Sequence, residues 1–229
     1  MSGWAADPYV YPGTRVLRNR LDIRDPARLA RLDADLSALA LAELADQHLP
    51  GRYDLLHVQG FHQVIFGVLY PWAGQIRTVM VAKPGSLFAL PHQIHAHATE
   101  FATHLADQRF LRGLGRAGFI DRLAPLWDEL DRLHPFRDGN GRATRAMLGQ
   151  LALDADHHLS WAQLDRQANL DAALAGTLDD HLPRRALLAG LVDVDDTGRV
   201  LTPTALRGLL AAIRTRHTTG PPPPHPGTR

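Results

Sequence analysis

The 229-residue sequence predicts an all-α fold: a helical bundle interrupted by one β-hairpin flap and followed by a small C-terminal appendage. Three observations carry this. Apolar residues recur at helical spacing along most of the chain. Capping residues, prolines and glycines bracket those stretches. Only the stretch from Gln75 to Pro91 breaks into a short strand-like pattern before the C-terminal region.

The elements follow in order. Met1 to Thr14 is turn-rich (Pro8, Pro12, Gly13) and reads as an arm. Asp25 caps a first helix with Pro26 at its first position, and Leu29, Leu32, Leu36, Leu39, Leu41 and Leu44 mark its apolar residues up to Leu49 and the Pro50-Gly51 stop. Asp54 caps a second helix through Val58, Phe61, Ile65 and Leu69, which ends before Pro71. Ile76, Thr78, Val79 and Val81 read as a strand, Lys83-Pro84-Gly85-Ser86 as a turn, and Leu87 to Leu90 as the returning strand. Helical spacing resumes from Ile94 to Phe110 and again from Phe119 to Leu133, where Pro125 marks either a kink or the true start. Ala143, Met147, Leu148, Leu151 and Ala152 form the buried face of the next helix, and two more are predicted over 161–174 and 181–190. Residues 192–201 read as a short hairpin around Asp196-Thr197-Gly198. Thr202 and Pro203 then open a last amphipathic helix, and the proline-rich tail from Thr218 is expected to be disordered. This divides the chain into a domain over 1–191, a hairpin plus helix over 192–217, and a tail over 218–229.

Bulk properties exclude several function classes. A formal charge of +1 with 21% charged residues argues against a surface that coats nucleic acid, so no direct nucleic-acid partner is expected. The absence of cysteine excludes disulfides and thiolate metal sites. No apolar run is long enough for a membrane span, and the N-terminus lacks the pattern of a secretory signal. The expectation is a soluble protein of the cytoplasm, with no membrane partner.

The chemistry concentrates in His134 to Arg145, HPFRDGNGRATR, at the junction of two helices. A helix N-terminus offers unpaired N–H groups and the positive end of a dipole, which suit phosphate. Gly139 and Gly141 let the backbone approach an anion, and Asn140 between them adds a side-chain donor. Arg142 and Arg145, three residues apart, share a helix face and can reach one polyphosphate with fixed forks of donors. Asp138 is placed for a hard cation such as Mg2+. His134 ends the preceding helix and can serve as a general base near neutral pH. A solvated polar loop, with Phe136 simply buried, is the competing interpretation.

This stretch resembles, at all nine specified positions, the Fic family motif HPFx[DE]GNGRxxR. YVYPGTRVLRNRLDIRD (Tyr9 to Asp25), YPWAGQIRTV (Tyr70 to Val79) and GSLFA (Gly85 to Ala89) are similar to the toxin-type and translocated-effector branch, so the likeness spans about Tyr9 to Leu191. The resemblance implies a Fic-fold enzyme that transfers AMP from ATP, with Mg2+, to a hydroxyl side chain (Ser, Thr or Tyr) of a target protein. It implies His134 as the base and Asp138 as the metal ligand. Gly139, Asn140 and Gly141 would form the anion hole, Arg142 and Arg145 would hold the β- and γ-phosphates, and Phe136 would anchor the loop. It makes Val79 to Pro91 a flap that lays the target segment against its edge by strand addition, with Lys83, Ser86 and Phe88 nearest the target. A purely structural hairpin is the alternative there. Gly141, where phosphotransferase relatives carry lysine, favours AMP transfer, although transfer of another nucleotide monophosphate stays open. Toxin-type relatives act on type II DNA topoisomerases, which makes these targets by analogy only. The effector branch also leaves open translocation into a target cell.

Many members of this family carry an inhibitory segment, [ST]xxxE[GN]. Here the glutamates are Glu43, Glu100 and Glu129; Leu39, Ala96 and Pro125 precede them by four, and none is followed by Gly or Asn. The resemblance then implies a separate small antitoxin that supplies the glutamate to Arg145, or an unregulated enzyme. A non-catalytic nucleotide- or phosphate-binding module is the rival class. Weaker signals are set aside. The glycine pattern from Gly113 to Gly118 lacks a preceding strand. His92, His95, His97 and His104 read as a solvated face. A calcium-like start at Asp193 has Thr204 where a bidentate glutamate is required.

Overall fold

The computed structural model describes residues 7–82 and 88–219, with side chains as far as 217. Among these residues lie α1 (Pro26–Ala45), α2 (Leu55–Phe66), α3 (Ile94–Asp107), α4 (Arg116–Leu133), α5 (Asn140–Asp154), α6 (Arg166–Gly176), α7 (Leu182–Ala189) and α8 (Pro203–Thr219). The predicted all-α bundle is what forms. The Asp25 side chain accepts from the Arg28 N–H at the start of α1, and the Asp54 side chain does the same for the His57 N–H at the start of α2. α1 stops at Ala45, short of the expected Leu49.

α4 and α5 form the centre. Phe119, Leu123, Leu126 and Leu130 from α4 interdigitate with the buried Met147, Leu148 and Leu151 of α5 in one core, while α2 and α1 pack on one side and α3 and α7 on α4. α4 runs unbroken through Pro125, so that residue is neither its start nor its end. A buried ionic network fixes α7 to α4: Arg184, fully buried, donates to Asp128 (2.8 Å), Asp131 (2.7 Å) and Asn169 (2.7 Å) and lies over the Trp127 ring.

The hairpin expected over about 76–91 carries no strand in its described residues; only isolated bridges occur among the described residues. The flanks use their polar groups elsewhere. The Arg77 N–H donates to Pro135 (2.8 Å) and the Ala89 N–H to Arg132 (2.9 Å), so the main chain of both flanks is fastened to the end of α4. The predicted turn, with Lys83 and Ser86, lies outside the described residues.

In the C-terminal appendage a Val194–Val200 bridge stands where the short hairpin was expected, and a Leu159–Val192 bridge joins it to the segment that follows α5. α8 extends to Thr219, so residues 218 and 219 are helical rather than part of a disordered tail; residues 220–229 lie outside the description. The buried His157–Asp193 pair (2.7 Å) links appendage and core.

Candidate active site

α4 ends at His134 because the backbone turns left-handed there (φ 41°) and Pro135 cannot continue the helix. A non-glycine residue in that conformation costs roughly 1 kcal/mol, so its surroundings must hold it. The His134 N–H donates to the Leu130 carbonyl (3.2 Å), and its own carbonyl accepts from Arg77 Nε (2.7 Å). The imidazole is stacked on Phe88 at 3.8 Å between ring centres, which places the predicted target-side Phe88 directly against the predicted base.

The loop that follows is closed by Asn140. Its Oδ1 accepts from the Phe136 N–H (2.8 Å) and its Nδ2 donates to the Phe136 carbonyl (2.8 Å). The amide thus shapes the turn, beside the anion-hole role expected of it, because a buried loop of this size must satisfy its own backbone groups. Main-chain N–H groups at the start of α5 are further donors for an anion. Gly139 precedes that helix with φ 80°, and a Cβ there would sit 2.4 Å from the Phe66 ring, so both conformation and space demand glycine. Phe136 is fully buried and stacks on His62 at 3.9 Å.

The two arginines are placed differently. Arg142 donates to Asp33 and, at 2.8 Å, to Ser37, both on α1, and lies over the Phe66 ring. Asp33 also accepts from the Tyr70 hydroxyl (2.6 Å). Burial, reinforced by Asp33, pushes that hydroxyl well above its ordinary pKa, so it remains a donor. Arg145 is half-buried, and that burial pulls its guanidinium below its ordinary value against the opposing charge of Asp131. It nevertheless has no hydrogen-bonding or ion-pair partner among the described residues. Asp138 is exposed; its Oδ1 accepts from the Gly139 N–H at 2.6 Å.

Three residues outside the motif support it and were not singled out by sequence reasoning: Asp33, His62 and Arg77. The Gly74 N–H donates to His62 Nδ1 (2.9 Å), so the ring proton sits on Nε2 and is donated to the Asp138 carbonyl (2.8 Å). Burial holds this imidazole neutral and lowers its pKa to about 4. A histidine on an apolar helix face gives no local signal of that role.

A cavity of 530 Å³ opens between α3 and α4, walled by Phe88, Phe101, Glu100, Glu129 and Arg132. It adjoins the base through Phe88 and does not include the glycine turn. Among the described residues no group of three or more His, Asp or Glu side chains could hold a metal by itself, and no helix is long and apolar enough to cross a membrane.

Comparisons with known proteins agree on one family. The profile of the Fic/DOC family matches residues 52–152. The protein adenylyltransferase VbhT of Bartonella schoenbuchensis is 39% identical over 168 residues, 73% of this chain and 35% of that protein. The "probable protein adenylyltransferase Fic" of Escherichia coli K12 is 34% identical over 178 residues, 78% of this chain and 88% of that protein. This chain thus spans about a third of the length of VbhT and most of the length of the E. coli protein. In fold it is similar to the crystal structure of BepC, a VirB-translocated effector of Bartonella tribocorum with bound AMPPNP, at a TM-score of 0.75 and 24% identity over 80% of this chain and 95% of that one.

Proposed function

The chain belongs to the Fic/DOC family, and from that we propose that it is a protein adenylyltransferase, moving AMP from Mg-ATP to a hydroxyl side chain of a protein target. The observation that carries this is the junction of α4 and α5: a buried imidazole, a glycine turn opening a helix, and an arginine with no hydrogen bond or salt bridge among the described residues, within twelve residues.

His134 accepts the proton of the target hydroxyl as its oxygen forms a bond to the α-phosphorus. The bond from that phosphorus to the bridging oxygen breaks, and its electron pair leaves with pyrophosphate. Main-chain N–H groups at the start of α5 stabilise the charge on the phosphate oxygens. Arg145 takes the terminal phosphates, with Arg142 alongside, oriented by Asp33 and Ser37. Asp138 fits Mg2+ because one exposed carboxylate with a free second oxygen suffices for an ion held mainly by phosphates and water. When bound, that ion neutralises developing charge on the leaving group. Phe88 and the cavity beside it face the incoming segment.

Because Arg145 makes no hydrogen bond or salt bridge among the described residues and the glutamates lie outside any inhibitory pattern, we also read it as the point where a separate small protein inhibits the enzyme with a carboxylate. Toxin–antitoxin pairing and type II topoisomerase targets belong to this reading. Labelled ATP tests the activity. Label from the α-phosphate should become covalent in protein while label from the γ-phosphate does not. His134→Ala should lower transfer by about 10²–10⁴-fold with ATP binding retained. Binding without any transfer of label would make the chain a nucleotide-binding module instead.

A further inference from the structure

Arg77 is 2% exposed, and burial pulls its guanidinium below its ordinary pKa. No carboxylate forms a salt bridge with it among the described residues. It donates instead to three main-chain carbonyls: Nε to His134 (2.7 Å), Nη1 to Val79 (2.9 Å) and Nη2 to Ala89. Its own N–H donates to Pro135, the residue after His134. A buried cation without a counter-ion is costly, and an apolar side chain of similar volume would fill the space without that cost. The arrangement therefore calls for a reason beyond packing.

The three carbonyls suggest one. Val79 and Ala89 stand on the two flanks of the flap, and His134 is the base. A guanidinium is planar and rigid, so the directions of its donors are fixed relative to one another; an ammonium on a flexible stem imposes no such relation. Holding the His134 carbonyl restrains a backbone that is already left-handed, and hence the bearing of the imidazole. From the other side Phe88, adjacent to Ala89, stacks on that ring. Displacement of the returning flank thus reaches the imidazole by two routes, through Phe88 directly and through Ala89, Arg77 and the His134 carbonyl.

We propose that Arg77 is a positioning residue that couples the two flanks of the flap to the base, so that the bearing of the His134 ring depends on how the flanks at Val79 and Ala89 are seated. The inference rests on the reading of His134 as the base. It assigns Arg77 no contact with ATP or with the target hydroxyl.

The test uses Arg77→Lys, which keeps the charge, and Arg77→Gln, which keeps a donor without it. Each is measured on the full chain for melting temperature, for ATP binding by calorimetry, and for transfer of α-labelled phosphate into protein. Histidine labelled with 13C and 15N reports the ring of His134, identified as the resonance that His134→Ala removes. The expected result is a folded Lys variant that binds ATP within about twofold of wild type, transfers at least 10²-fold more slowly, and shows a shifted or broadened His134 resonance. Folded variants with wild-type transfer and an unmoved His134 resonance would overturn the proposal. So would failure of both variants to fold, which would leave Arg77 a structural clamp. A wild-type chain that transfers no label would refute the enzymatic reading, while the His134 resonance would still decide the coupling.

Discussion

Arg142 and Arg145 are three residues apart on one helix and yet meet different fates. Arg142 is held by the Asp33 carboxylate and the Ser37 hydroxyl, its guanidinium over the Phe66 ring, while Arg145 makes no hydrogen bond or salt bridge among the described residues. A free arginine side chain gives up about 2 kcal/mol of rotamer entropy when it is fixed. On the proposed function, Asp33 removes that loss from nucleotide binding by fixing Arg142 beforehand. Asp33 itself is only 12% exposed and is anchored by Tyr70, so it does not readily follow a moving arginine. Asp33→Asn is therefore expected to weaken ATP binding about tenfold, on the order of 1.4 kcal/mol, measured by calorimetry. Tighter binding in that variant would mean that the carboxylate competes with phosphate instead. The motif residues were legible because they are contiguous and chemically distinctive. Asp33 was not, since it reaches Arg142 across 109 positions of sequence and looks like one more charge on the exposed face of α1.

Among the elements, α2 clasps the loop between α4 and α5 through His62. The neutral ring donates to the Asp138 carbonyl and accepts from the Gly74 N–H, so protonation must break the second bond. Its folded pKa of about 4 lies below the ordinary 6.5 of an unfolded chain. Between those values the unfolded state binds the proton and the folded state does not. The stabilisation is thus complete above pH 6.5 and is lost as pH falls from 6.5 to 4, by about 3 kcal/mol in total. His157 acts in the opposite direction: burial opposes its charge, but the bond and charge of Asp193 raise its pKa, and that contribution fades as pH rises. The comparison of wild type with His62→Asn isolates the first effect. Denaturant unfolding should show a stability gap at pH 7 that shrinks toward pH 4; a gap constant with pH would contradict the neutral-ring assignment. Caps and stops made α1 and α2 readable at their starts. The described flanks of the flap form no ladder, although Ile76, Thr78, Val79 and Val81 look like a strand whether their backbone groups pair with each other or with a distant loop.

At the scale of the molecule, the bundle exists to hold one junction. α4 delivers His134, the proposed base, and α5 the helix start proposed to face phosphate; α1 constrains them through Asp33, α2 through His62, and α7 through the buried Arg184 network with Asp128 and Asp131. Helix count and order were legible from apolar spacing, which is local. Tertiary pairings were not, since no spacing records which distant carboxylate or carbonyl a buried arginine will find. The most direct measurement is a crystal structure of the chain with a non-hydrolysable ATP analogue and Mg2+. The account predicts a triphosphate wrapped by the glycine turn, Arg145 on its terminal phosphates, Asp138 on the cation, and the His134 ring facing the α-phosphorus at a distance that leaves room for one hydroxyl. A nucleotide bound elsewhere, or an imidazole turned away from that phosphorus, would contradict it.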